Sequence, residues 1–181
     1  DIYGWLEIPG TEFDFPLVQR EGDDGFYLTH DSDGNESSAG AIFTESAYNS
    51  TTMEDPVTVA YGHQMHAGTM FGKLQETYSQ ENALEDYGEV IVYLPEKELH
   101  YQVFAAVPYD NRHILYNYDC TDSRRFNAFL NSIYEVREIG AQFASGVTVS
   151  TDDKVLVLST CLAGNSQRRY LVLAVCQAEI E

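Results

Sequence analysis

The chain has 181 residues, and its 10 Lys and Arg against 29 Asp and Glu give a formal net charge of -19. A surface this acidic repels nucleic acid and anionic lipid headgroups, so neither is an expected partner. A hydrophobic content of 44% excludes a disordered tail, and the length fits one domain, which we expect to span residues 1–181.

Eight segments are rich in Val, Ile, Tyr and Phe and are mostly bounded by turn residues, which predicts β-strands at 4–8, 15–18, 40–44, 57–61, 89–94, 99–107, 154–159 and 169–176. Three segments favour helix, at 68–78, 80–87 and 122–139. The last has an apolar stripe from Phe126 to Ile133, with Asp122 or Ser123 as N-cap. Many strands and few helices predict a mainly β fold, a closed or nearly closed barrel with peripheral helices.

The three cysteines are Cys120, Cys161 and Cys176, too few and too scattered for a disulfide scaffold or a C-x-x-C metal site. His63 and His66 lack further ligands at metal spacing. The acidic stretch 31–35 is typical of a turn rather than of a calcium loop. No metal or cofactor is therefore expected.

The densest chemical signal lies near the C-terminus, where the strands 154–159 and 169–176 flank a polar connection that contains Gly164. If the strands pair as an antiparallel hairpin, Cys161 leaves the first where Arg169 enters the second, and the thiol faces the guanidinium. Alternation places Cys161 on the same face as Ser159 and Val157.

A second signal is His63, the first polar side chain after the strand 57–61. Gly62 gives the backbone room to turn beside the imidazole. If this strand lies parallel to the one that ends at Cys161, a Cys, a His and an Arg emerge at one rim of the barrel.

These three residue types suit acyl transfer. A free cysteine thiol, with a pKa of about 8.5, is only about 3% ionised at pH 7, and a nearby imidazolium and guanidinium raise that fraction. A histidine can protonate a leaving amine and later deprotonate an incoming one. An arginine can hold the developing oxyanion. Singly, each residue is as well explained by packing, a turn or surface charge, so the combination carries the prediction.

The motifs resemble those of the sortases, most closely class B. The run 158–161, Leu-Ser-Thr-Cys, resembles the family signature T-L-x-T-C, with Val157 in place of the leading Thr. Tyr-Gly-His at 61–63, followed by Met-Phe at 70–71, resembles the Y-G-H…M-F segment, and Arg169 opens the last strand as in the family. Further similar segments are 3–9, 15–19, 26–28 and 39–43, and the helix from 122 is similar to the class B insertion.

The resemblance implies an eight-stranded sortase barrel on the outer face of a Gram-positive cell membrane, anchored through an N-terminal segment outside this chain. It also implies a cysteine transpeptidase. Cys161 attacks the Thr carbonyl of a C-terminal sorting motif, which releases the downstream piece and leaves a thioacyl enzyme. An amine of a peptidoglycan precursor, or of a pilin Lys, then resolves it.

The resemblance assigns catalytic roles to Cys161, His63 and Arg169. Arg168 competes with Arg169, which fits better because it directly precedes the apolar strand. Near Asp24 some class B enzymes carry an Asn, so the exact sorting motif stays open. The substrate-binding candidates by motif or position are Ser159, Thr160, Leu28, Asp24, Leu115 and Tyr116.

Three alternatives stay open: a pilin-polymerising sortase, a hydrolytic cysteine protease in which water resolves the thioacyl enzyme, and a non-catalytic extracellular β-barrel binding module in which Cys161 is structural. Cys120 and Cys176 have no assigned role, although a pairing between them is possible outside the cell. The other histidines are expected to be structural: His30, His66, His100 and His113.

Overall fold

The computed structural model describes residues 1–181, and its strands form a sheet that closes on itself. Eight strands pair in the closed order β1-β2-β3-β4-β8-β9-β6-β5, with β5 returning to β1, and β7 extends the sheet beside β6. Each of the eight predicted strand segments falls on one barrel strand, so the predicted closed barrel is confirmed. The strands are β1 (Ile2–Glu7), β2 (Asp14–Val18), β3 (Ile42–Phe43), β4 (Val57–Tyr61), β5 (Glu89–Tyr93), β6 (Glu98–Tyr109), β7 (Gln142–Phe143), β8 (Val155–Leu162) and β9 (Asn165–Ile180).

Four α-helices and one 3₁₀ helix pack around the barrel: the 3₁₀ helix Phe26–Leu28, α1 (Leu74–Tyr78), α2 (Ala83–Asp86), α3 (Ile114–Asn117) and α4 (Ser123–Tyr134). The predicted helix start at residue 68 is wrong, because Gly68 and Met70 have positive φ angles of 78° and 55°, which a right-handed helix excludes. Short α3 and β7 were not predicted. None of the helices is long and apolar enough to cross a membrane.

Helix α4 begins as predicted, because the Asp122 side chain accepts hydrogen bonds from the backbone N–H groups of Arg124 and Arg125. It ends at Tyr134, five residues before the predicted end at 139. The apolar stripe stops at Ile133, and Ile139 is fully exposed, so a longer helix would bury no further surface. Burying each apolar side chain of the stripe contributes roughly 1.5–3 kcal/mol, against roughly 1 kcal/mol for the cap, so packing dominates.

Two hydrophobic clusters lie on the two faces of β8 and β9. Leu156, Leu158 and Val172 point into the barrel, where side chains from the other strands meet them. Val155 and Val157 point outward into a second cluster, which contains the buried residues of α4. Alternation along β8 therefore assigns Cys161, two residues after Ser159, to the outward face.

The site of interest forms where three strand ends meet. Strand β4 lies parallel to β8, with Tyr61 opposite Ser159. Strand β8 pairs with β9 in the antiparallel sense, with Cys161 opposite Arg169. The parallel pairing and the hairpin that the sequence predicts are thus both present.

Candidate active site

Cys161 and Arg169 are in contact across the β8–β9 ladder. They are directly opposed in register, and Nη1 of Arg169 lies 3.7 Å from Sγ of Cys161. Both residues are partly exposed at the end of the barrel, whereas the strands behind them are buried. The sulfur is thus accessible to a substrate and in contact with a permanent cation, the setting in which catalytic cysteines are found.

The connection between these strands is tighter than the sequence indicates. Leu162 pairs with Asn165 around a turn in which Gly164 has a φ of 77°. Residues 162–168 therefore do not form the open connection that the sequence predicts. The register shift between Cys161 and Leu162 leaves Ser166–Arg168 as a bulge in β9. The Ser166 and Arg168 carbonyls accept hydrogen bonds from Nη1 of Arg169 at 2.9 and 3.1 Å.

His63 lies directly beyond β4, at the same end of the barrel. Its strand is held beside β8 because the Gly62 N–H donates to the Ser159 carbonyl at 3.2 Å. Nε2 of His63 lies 2.7 Å from the Leu28 carbonyl oxygen. Because a carbonyl only accepts, Nε2 carries a proton, and in the neutral ring Nδ1 is the basic atom. The imidazole is therefore oriented by Leu28 and forms no hydrogen bond with Cys161.

Two glycines make room for this arrangement. A Cβ on Gly40 would lie 2.4 Å from the Tyr27 carbonyl and 3.1 Å from Cδ2 of His63. A Cβ on Gly62 would lie 2.5 Å from Cδ1 of Ile42 and 2.7 Å from Cδ2 of Phe71. A larger residue at Gly40 would therefore displace the backbone beside Leu28, which holds the imidazole, and one at Gly62 would displace the side chains of Ile42 and Phe71.

The predicted substrate-binding residues on β8 face in different directions. Ser159 shares the outward face with Cys161 but is buried, with 4% of its surface exposed. Thr160 is 3% exposed and alternates with it, on the face of Leu158, and its hydroxyl has no hydrogen-bond partner. Only the backbone of Thr160 can therefore reach a groove on the Cys161 face.

The other four candidates lie on loops and on α3. The Asp24 carboxylate accepts hydrogen bonds from the backbone and hydroxyl of Ser46 and from the Ala47 N–H, so it holds that loop rather than pointing freely into a groove. Leu28 and Tyr116 are exposed, and Leu115 packs partly against the outward cluster. Their positions are compatible with a groove wall.

Sequence reasoning missed a polar pair beside this face. Nε2 of His113 lies 2.7 Å from the Glu45 carboxylate, and Nδ1 of His113 accepts from the Tyr116 N–H at 3.1 Å, which caps α3. Nearby, burial raises the pKa of the Tyr61 phenol and Glu45 raises it further, whereas Arg169 lowers it. Glu45 and His113 are 68 residues apart, and no local pattern links them.

The remaining two cysteines are free and poorly suited to nucleophilic attack. Burial raises the pKa of the Cys120 thiol to about 12, and the Asp119 carboxylate adds to the effect. Burial, together with Glu179, also raises the pKa of Cys176. Cys161 is the one thiol in contact with a guanidinium.

Comparison with known proteins identifies the family. A family model described as the sortase domain matches residues 6–177. Sortase B of Listeria monocytogenes is 28% identical over 172 residues, which cover 89% of this chain and 63% of that protein. Sortase B of Staphylococcus aureus is 26% identical over 176 residues, which cover 96% of this chain and 69% of that protein. The chain thus spans less than two thirds of the Listeria protein.

Comparison with solved structures also indicates similarity to class B sortases. The crystal structure of a Streptococcus pyogenes class B sortase involved in pilus biogenesis superimposes with a TM-score of 0.82 at 25% identity, covering 98% of this chain and 92% of that one. The predicted resemblance to class B sortases is therefore confirmed. Because the family model extends over nearly the whole length, the chain belongs to the sortase family, and the relatives it matches are class B sortases.

Proposed function

We propose that this chain is a cysteine transpeptidase that cleaves a C-terminal sorting motif of a surface protein and transfers the acyl group to an amine of peptidoglycan. Transpeptidation is the general role of the family to which the chain belongs. The observation that carries the proposal is the 3.7 Å contact between the Arg169 guanidinium and the Cys161 thiol, beside the strand end that bears His63.

In the first half-reaction, the Cys161 thiolate attacks the carbonyl carbon of the motif Thr, and the carbonyl oxygen becomes an oxyanion. Arg169 stabilises this charge with a donor that is already oriented by two backbone carbonyls. The C–N bond then breaks, and the leaving amine takes a proton from the His63 imidazolium. The product is a thioester on Cys161.

In the second half-reaction, an amine attacks the thioester carbon and gives its proton to His63. The C–S bond breaks, the thiolate returns, and a new amide is released. Because Leu28 holds Nε2, we assign the proton exchange to Nδ1 of His63. The substrate peptide would lie along the face bounded by Leu28, Leu115 and Tyr116.

A second candidate is polymerisation of pilins through Lys amines. It is favoured by the likeness to the Streptococcus pyogenes class B sortase involved in pilus biogenesis, which matches this chain along 92% of its own length. The first half-reaction is the same, and only the acceptor amine differs. In either case we place the catalytic domain, residues 1–181, on the outer face of the cell membrane, with an N-terminal anchor outside this chain.

The test is a transpeptidation assay with a library of sorting-motif peptides and three parallel acceptors: a glycine α-amine, a diamino-acid side-chain amine and a Lys in a pilin-like peptide. Products are identified by mass spectrometry. A ligated product with a peptidoglycan-type amine supports anchoring, and a Lys isopeptide product supports pilin polymerisation. Cleavage that yields only the hydrolysed acid with every acceptor would reject transpeptidation in favour of a protease, and no cleavage of any peptide would reject catalysis.

A further inference from the structure

Arg168, the neighbour of the proposed catalytic arginine, is held by a two-point ion pair. Its Nη1 lies 2.5 Å from Oε2 of Glu138, and its Nη2 lies 2.6 Å from Oε1. Glu138 belongs to the segment between α4 and β7, 30 residues earlier in the chain. The planar guanidinium fork matches both carboxylate oxygens, so the pair fixes the direction of Arg168 as well as its distance.

The segment attached to this pair has few other restraints. Ser166–Arg168 is the β9 bulge, and none of its residues has a ladder partner on β8 or on β6: the β6–β9 ladder ends at Arg169, and the β8–β9 ladder skips these three residues between Arg169 and Asn165. Ser166 and Gln167 are exposed. The bulge is fixed at its two ends by the pairing of Asn165 with Leu162 and of Arg169 with Cys161, and between them the Arg168–Glu138 pair is the side-chain bond that ties it to another part of the fold.

The bulge in turn orients Arg169. Nη1 of Arg169 donates to the carbonyls of Ser166 and Arg168, and the same nitrogen is the one in contact with Sγ of Cys161. A shift of these carbonyls would move Nη1 away from the thiol. A series of contacts thus connects Glu138, through Arg168 and the bulge, to Cys161.

We propose that Arg168 and Glu138 are positioning residues: their ion pair holds the β9 bulge so that its carbonyls direct the Arg169 guanidinium at the Cys161 thiol. The inference rests on the proposed function of Cys161 and Arg169. It gives Arg168 a role other than the catalytic one for which it competes in the sequence, because Arg169, not Arg168, contacts the sulfur.

Charge and position make opposite predictions for Glu138. If only charge acted on Cys161, removing the Arg168 cation would slow its alkylation, and removing the Glu138 anion would speed it. If the position of the bulge acts, both removals release the bulge and both slow the alkylation. Glu138→Ala is therefore the decisive variant.

The experiment measures the rate of Cys161 alkylation by iodoacetamide between pH 5 and 9 in the whole protein, with each cysteine followed by mass spectrometry. We expect Arg168→Ala and Glu138→Ala to slow alkylation at pH 7 by about twofold to fivefold, the range for an exposed ion pair. The exchanged pair, Arg168→Glu with Glu138→Arg, should recover most of the rate. Salt at about 1 M should bring the wild type close to the variants.

Two control variants match the charge changes. Arg124→Ala removes an exposed cation from α4, and Glu135→Ala removes an exposed anion that lines the same surface cleft as Glu138. Both should alkylate at the wild-type rate. Alkylation of Glu138→Ala at or above the wild-type rate would overturn the proposal, as would a fall in melting temperature with unchanged Cys161 reactivity.

Alkylation needs no sorting peptide, so its result is independent of whether transfer is found. If transfer is also detected, the two variants should lower kcat by a similar factor and leave KM within about twofold, because the guanidinium acts on the developing charge rather than on peptide binding. A rise in KM at constant kcat would instead contradict the positioning role.

Discussion

Arg169 and Cys161 are directly opposed in the β8–β9 register, and Nη1 of the arginine lies 3.7 Å from the sulfur. The same nitrogen donates to the carbonyls of Ser166 and Arg168, so the cation has little freedom to turn away. A fixed charge beside a nucleophile stabilises the transition state without reorganising during the reaction.

Replacing Cys161 by Ala should abolish transfer and leave the fold intact. The residue lies at the partly exposed end of β8, so the change removes the sulfur without opening a cavity in the core. Product formation and thermal unfolding of the variant are the measurements. A Cys161→Ala protein that still joins peptide to amine would show that another residue forms the intermediate.

Replacing Arg169 by Lys keeps the positive charge but removes the forked guanidinium group. A lysine ammonium cannot bond two bulge carbonyls and contact the sulfur with the same geometry. We expect kcat/KM to fall about a hundredfold, the loss typical of one oxyanion donor, mostly through kcat. Arg124→Lys on the exposed face of α4 is the control, and near-normal turnover of Arg169→Lys would exclude a role for the forked donor.

The three thiols should differ sharply in reactivity. Since burial raises the pKa of Cys120 to about 12, only about one molecule in ten thousand carries its thiolate at pH 8. Burial and Glu179 disfavour the Cys176 thiolate as well. Iodoacetamide at pH 8 should therefore label Cys161 first, and unfolding in urea should make the rates similar. Equal labelling in the folded protein would contradict this account.

The Glu45–His113 pair should affect peptide binding more than chemistry. His113→Asn keeps a side-chain acceptor for the Tyr116 N–H but loses the bond to Glu45, which frees α3 and its neighbours Leu115 and Tyr116. We expect KM for the peptide to rise about threefold, with kcat unchanged. Glu45→Gln keeps an acceptor oxygen for His113 and should lie between wild type and His113→Asn. A loss confined to kcat would argue against a groove role.

Acid should weaken the fold partly through Glu54. Hydrogen bonds from Lys154 and then Lys97 lower the pKa of Glu54 from 4.5 to about 2. Because the folded pKa is depressed, this contribution is complete above about pH 4.5 and is lost as the pH falls towards 2. The free energy of unfolding in urea should fall more steeply between pH 5 and 2.5 for wild type than for Glu54→Gln. Parallel pH profiles would contradict the assignment, and the effect is small because both partners are partly exposed.

The strands of the barrel could be predicted from the sequence because the residue pattern of each strand lies within a short stretch of the chain. Alternation along 155–161 separates inward Leu156 and Leu158 from outward Val155 and Val157, and the hairpin and parallel pairing then bring Cys161, Arg169 and the end of β4 together. Helix α4 was found because its cap and stripe are also local. The end of the helix was predicted too late, because residues that favour helix continue beyond the last one whose side chain packs against the core.

The missed features depend on contacts between distant residues or on unusual backbone. Glu138 and Arg168 meet only because the segment after α4 lies beside the β9 bulge in the folded protein. The left-handed conformation of Met70, which delays α1, carries no signal in a residue that normally favours helix. The bulge could not be predicted, because its residues belong to a polar run that is equally typical of a loop.

The most direct test is to locate the covalent intermediate. The protein is incubated with the sorting-peptide library in the absence of an amine acceptor, quenched in acid, digested and mapped by mass spectrometry. We predict an acyl group in thioester linkage on Cys161 that disappears on addition of an amine and never forms in Cys161→Ala. An acyl group on any other residue, or cleavage of peptide by Cys161→Ala, would contradict the assignment of this thiol as the nucleophile.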